Sequence, residues 1–135
     1  MYDDVLSLIR NCIREYAKFP DLQARLEKTV FSSHLHILAI GKAASGMAHA
    51  TLNTLGTQRG ASPESFCDGY VLTKYGCIQH TLSPLIPLEA GHPLPDQNSL
   101  EHTADILKWL QQLPVEEDLI VLLSGGGSAL FEMPE

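Results

Sequence analysis

No stretch of this sequence is apolar for long enough to cross a membrane. Its strongest runs, Leu35 to Ile40 and Leu119 to Leu123, fall far short of the roughly 20 residues that a spanning helix needs. Positive charge is also scarce. Nine Lys and Arg stand against 16 Asp and Glu, a formal net charge of -7, which argues against broad attraction to nucleic acid or to an anionic membrane. Local anion binding survives that argument, because it needs only a few aimed N–H groups and one or two cations. Cysteine is sparse and odd in number: Cys12, Cys67 and Cys77 lack the close pairing of a zinc site or a redox dithiol, so they are expected reduced and buried. The opening Tyr2-Asp3-Asp4 is acidic where a signal peptide is basic, which predicts a cytoplasmic protein. There is no internal repeat or low-complexity tract.

What is present suits one α/β domain. The 135 residues are 44% hydrophobic, enough for one core and too few for two ordinary ones. From Asp4 to Lys18, Val5, Ile9, Cys12, Ile13 and Tyr16 recur at helical spacing, and Leu22, Leu26 and Val30 suggest a second short helix after Pro20; both are expected to pack over a sheet. Leu35 to Ile40 reads as a strand covered on both faces. A helix is predicted over Met47 to Leu55, with Gly56 as its C-cap and a surface connection from Thr57 to Ser65. Gly69 to Thr73 and Leu85 to Ala90 are further strands. Gln97 to Leu113 is helical, opened by a capping box of Asn98 and Glu101 or capped instead by Asp96. Asp118 to Leu123 is a buried strand leading, through Ser124 to Ser128, toward a helix at Ala129 to Phe131. Strands alternating with helices predict parallel pairing through right-handed crossovers: a three-layer sandwich with a mainly parallel, Rossmann-like sheet. Residues 1–33 would be a helical lead-in and 34–135 the core.

In such sheets, ligands sit at the carboxyl ends of strands, where strand order reverses. Ser124-Gly125-Gly126-Gly127-Ser128 occupies such an end. Three successive glycines cost conformational entropy, so a strand exit that keeps them points to unusual backbone angles or to a closely approaching ligand. Their amides can converge on an anion, helped by the hydroxyls of Ser124 and Ser128 and by a following helix start; a tight packing turn is the plainer alternative. The run is not a Walker A sequence. Gly41-Lys42-Ala43-Ala44-Ser45-Gly46 is a second glycine turn, now with a lysine that supplies a point charge to a phosphate or carboxylate unless it simply faces solvent. It lacks the G-x-G-x-x-G dinucleotide pattern. Lys74 and His92 follow other strands: Lys74 could hold an anionic substrate, and His92 could bond a hydroxyl or move a proton. His34 and His36 alternate at a strand start and could chelate a metal, but the sequence offers no third ligand, and no metal site is predicted.

Together, Gly41-Lys42-Ala43-Ala44 with Met47-Ala48, Leu72 to Gly76, Glu89 to Asp96, and Asp118 to Leu130 resemble the amino-terminal domain of the glycerate 2-kinase family, also found under the name hydroxypyruvate reductase. The four motifs occur in the family's order, and the last is the most specific. The resemblance implies transfer of phosphate from ATP, with Mg2+, to the 2-hydroxyl of D-glycerate in a cleft between two domains. By motif match Lys42 would be the catalytic lysine facing the cleft, and Ser124, Gly125, Gly126, Gly127 and Ser128 would form the anion cradle, with Lys74 and His92 as further substrate contacts. Such chemistry relies on positioning and charge neutralisation. Family members are much longer, so the expectation is a truncated amino-terminal part, inactive alone, that contacts a missing carboxyl-terminal part or forms a homo-oligomer. The competing expectations are a non-catalytic anion-binding or subunit-pairing module, and a hydroxypyruvate reductase.

Overall fold

The structure, a computed structural model, describes residues 5–10 and 18–133. Its framework is helix α1 (Pro20–Lys28), strand β1 (Leu35–Ile40), α2 (Ala44–Arg59), β2 (Cys67–Lys74), β3 (Ile86–Ala90), α3 (Gln97–Leu110), β4 (Asp118–Leu123) and a single turn, α4 (Gly127–Leu130). The four strands form one sheet in the order β3-β2-β1-β4, and every pairing is parallel. The chain builds outward from β1 to β3, then crosses back to lay β4 on the other side of β1. The reversal of strand order therefore falls between β1 and β4.

All six residues of β1 are buried, as expected of a strand covered on both faces. Leu35, Ile37 and Ala39 point to one face, where they meet Ala44, Ala48, Leu52 and Leu55 of α2, with Leu22 of α1 packed alongside. Leu38 and Ile40 point to the other, against Ile106 of α3 and Leu130 of α4. Helices cover both faces, which makes the predicted three layers. Each large apolar side chain of β1 contributes about 1.5–3 kcal/mol by leaving water. Gly69 (φ +146) lets β2 approach closely: a Cβ there would run into the Ile37 carbonyl oxygen.

Several expectations need correction. Helix α2 continues past Gly56 to Arg59 and is capped by Gly60, whose φ of 60° places it in the left-handed region. Gly56 sits inside the helix, where a Cβ would lie 3.3 Å from the Ala61 carbonyl oxygen and beside Pro63. Helix α3 is capped by Asp96: the Ser99 amide donates to Asp96 Oδ1 at 3.1 Å, and the Asp96 amide donates to Ser99 Oγ at 3.0 Å. The capping box is thus Asp96 with Ser99, two residues before the Asn98–Glu101 pair, in line with the alternative cap expected at Asp96. Strand β4 is not buried. It is an edge, with Leu119, Val121 and Leu123 exposed by 40, 48 and 67%. In the first predicted helix, residues 5–10 are helical, with Val5, Leu6, Leu8 and Ile9 exposed; Cys12, Ile13 and Tyr16 lie outside the described residues. Cys67 is buried and Cys77 half-buried, neither in a disulfide; burial pushes the Cys67 thiol up to about 11.

Candidate anion-binding site

Two strand exits meet at the switch point. Because β1 and β4 run parallel and in register, Ile40 lies beside Leu123, and the turn after β1 lies beside the turn after β4. Three hydrogen bonds tie them. The Ser124 amide donates to the Ile40 carbonyl at 2.9 Å, the Lys42 amide to the Gly125 carbonyl at 2.9 Å, and the Ala43 amide to Ser124 Oγ at 3.0 Å. Gly41, at φ +124, has no room for a side chain, since a Cβ would collide with the Ser124 hydroxyl and carbonyl.

This geometry revises the roles within the cradle. The Ser124 hydroxyl is engaged within the fold: its oxygen accepts from the Ala43 amide, and its O–H faces the Ile40 carbonyl at 3.5 Å. The helix after the turn is only Gly127–Leu130, too short for a macrodipole of consequence. Gly126 carries the positive φ, 88°. No hydrogen bond among the described residues takes up the amides of Gly125 and Gly126. Successive free amides at a left-handed turn are the backbone arrangement that suits an anion. Ser128 is exposed beside them.

Lys42 and His92 close around that turn. A Cβ on Gly126 would lie 2.8 Å from His92 Nε2 and 3.2 Å from Lys42 Cγ, and one on Gly125 would lie 3.9 Å from Lys42 Cε. The lysine stem therefore runs along Gly125 and Gly126 while the imidazole rests on Gly126, the position that their close approach keeps bare. Lys42 is exposed and forms no ion pair with any described residue. Its ammonium is free to meet an incoming charge. Lys74 ends β2 opposite Ala90, one strand further along; it makes no hydrogen bond or ion pair to the two turns among the described residues.

Open depressions flank the turns. One of about 310 Å³ is lined by Ile40, Leu123, Ser124, Gly127, Ser128 and Phe131; another of about 210 Å³ includes Lys42, Ser45, Gly46, Cys77 and His80. Sequence reasoning missed Thr73. Its hydroxyl, near the end of β2, is the buried side-chain oxygen without a hydrogen-bond partner among the described residues, and nothing in a Val-Leu-Thr-Lys run marks it in advance. At the His92 loop, Asp96 is held at about 2, chiefly by the Tyr75 hydroxyl, which donates to Asp96 Oδ2 at 2.6 Å. That phenol is in turn raised by the same carboxylate.

At the amino-terminal end of the sheet, a second polar cluster surrounds His36. This ring is 4% exposed, with Nδ1 2.8 Å from Asp68 Oδ1 and Nε2 2.7 Å from Glu117 Oε2. Burial pulls its pKa down, but hydrogen bonds and charge from Asp68 and Glu117 outweigh that and leave it raised.

The family described as Domain of unknown function (DUF4147) matches residues 6–135. Among curated proteins, the D-glycerate 2-kinase of Thermotoga maritima is 40% identical over 98 residues, 73% of this chain and 22% of that protein. The glycerate 2-kinase of Pyrococcus horikoshii is 38% identical over 101 residues, 75% and 21% respectively. A putative hydroxypyruvate reductase of Agrobacterium vitis is 33% identical over 100 residues, 73% and 20%. The solved glycerate kinase of Thermotoga maritima superposes with a TM-score of 0.65 and 31% identity over 93% of this chain and 31% of that one. The chain spans about a fifth of the length of the curated relatives it matches.

Proposed function

The chain belongs to the DUF4147 family, and from that premise we propose that it forms the amino-terminal side of the substrate cleft of an ATP-dependent glycerate 2-kinase. The observation that carries the reading is the convergence of the free Gly125 and Gly126 amides, the Lys42 side chain and His92 on one turn. N–H donors and a cation suit a carboxylate or phosphate. In the proposed reaction the 2-hydroxyl oxygen of D-glycerate bonds to the γ-phosphorus of ATP, the bond from that phosphorus to the β,γ-bridging oxygen breaks to release ADP, and the hydroxyl proton passes to water. Lys42 offsets the anionic charge gathered there, the glycine amides orient the substrate anion, and His92 is placed to accept a bond from the hydroxyl. Mg2+ prefers oxygen ligands and would neutralise phosphate charge. The donor set at this turn fits the anion rather than the metal.

The 135 residues are proposed to bind and not to turn over alone, since positioning an in-line transfer needs both partners held. Calorimetry of the chain with D-glycerate, alongside phosphorus NMR for 2-phosphoglycerate with ATP and Mg2+, tests this. Binding that K42A weakens, without product, is expected. A folded chain that does not bind D-glycerate overturns the reading. A second reading, a module that pairs with another polypeptide, is favoured by the exposed apolar edge of β4; sedimentation that shows a strict monomer across concentration removes self-pairing from it.

A further inference from the structure

We propose that His34, His36 and Glu117 form a binding site for a divalent transition cation, with Zn2+ the best match, at the end of the sheet opposite the glycine turns. One ligand atom from each of the three lies within 4.8 Å of the others. Parallel register brings them together. His36 stands beside Asp68 of β2 and Leu119 of β4, so His34, two residues before His36, and Glu117, two residues before Leu119, project from the same face. Two imidazoles and a carboxylate are the donor set of many three-ligand zinc sites, which keep one position open for water or a further ligand.

The hydrogen bonds around His36 give the second argument. Both ring nitrogens face a carboxylate, Nδ1 toward Asp68 and Nε2 toward Glu117, whereas a neutral imidazole has only one N–H to donate. Two carboxylates sharing one ring favour a positive charge between them. In the apo chain a second ring proton supplies it; a cation on Nε2, shared with Glu117, would replace that proton and leave Nδ1–H to donate to Asp68. This is the carboxylate–histidine–metal relay that fixes a ligand's tautomer and orientation. His34 Nε2 also lies 3.2 Å from Asp68 Oδ2, and Trp109 covers His36 edge-on, its ring centroid 5.9 Å away. The cluster joins the starts of β1, β2 and β4. Five residue steps along the strand, about 16 Å, separate His36 from Gly41, so the ion would clamp the sheet and take no part in chemistry at the turns.

The metal-free full chain, titrated with Zn2+ by calorimetry, is expected to bind one ion with a dissociation constant of about 1 μM or tighter. Co2+ should quench Trp109, the only tryptophan in the chain. His34 precedes β1 and its side chain is 36% exposed, so H34A is expected to fold, which circular dichroism checks. H34A and E117Q should each weaken binding at least about tenfold. Doubling His49→Ala with His80→Ala, at the stacked pair of rings 4.4 Å apart, should leave it unchanged. No binding of Zn2+ by the folded chain, or binding that H34A and E117Q leave intact, overturns the proposal.

Discussion

The two ends of β1 carry opposite kinds of polar apparatus. At the carboxyl end, bare backbone does the work: Gly41 admits the Ser124 backbone, and Gly126 admits Lys42 and His92. At the amino end, side chains do it, with a buried imidazole held between Asp68 and Glu117. The difference follows from what each end has to meet. An anion is best approached by amides and a mobile cation, which leaves the carboxyl end open. Converging carboxylates and imidazoles satisfy one another or a cation, so the amino end closes on itself.

Substitutions at the two ends should therefore fail in different ways. The largest effect is expected from Gly41→Ala, which forces a side chain into the Ser124 backbone at a positive φ and should cost about 3 kcal/mol or more in urea denaturation. A cost below about 0.5 kcal/mol would mean that the two turns are not locked together. At the amino end, His36→Ala should cost about 2 kcal/mol by leaving two carboxylates facing one another without their shared partner. Combining it with Asp68→Asn should give clear non-additivity, the sign of a coupled cluster. Lys42→Ala sharpens the contrast: stability should move by less than about 0.5 kcal/mol, while D-glycerate affinity falls about tenfold. Asp96→Asn should matter least. Because the Asp96 pKa is depressed to about 2, its contribution is complete above the unfolded carboxyl value, near pH 4, and is lost as pH falls toward 2. The variant should flatten that part of the stability–pH curve.

Local features were legible in the sequence. Continuous apolar runs fixed β1 and β4, and a glycine triplet at a strand exit marked the turn after β4. What stayed illegible depended on non-local placement. The exposure of β4 could not be inferred from Asp118 to Leu123, because an edge strand and a central one can share the same apolar run. Gly56 looked like a helix end because a glycine after leucine usually is one; only the packing of α2 shows that Gly60 takes that role. The sequence offers Ser124 as a hydroxyl donor but does not show that the neighbouring turn bonds to the same oxygen. His34 and His36 were visible as a pair, but Glu117, 81 residues from His36, joins them only through the register of β1 with β4.

The central claim is that the turn after β4 holds an anion through its backbone. The direct test is a nitrogen-15 amide spectrum of the chain titrated with D-glycerate. Saturable shifts at the Gly125 and Gly126 amides, reduced in K42A, are the predicted result. Unmoved glycine amides in a folded chain, at D-glycerate concentrations that shift other residues, would contradict it.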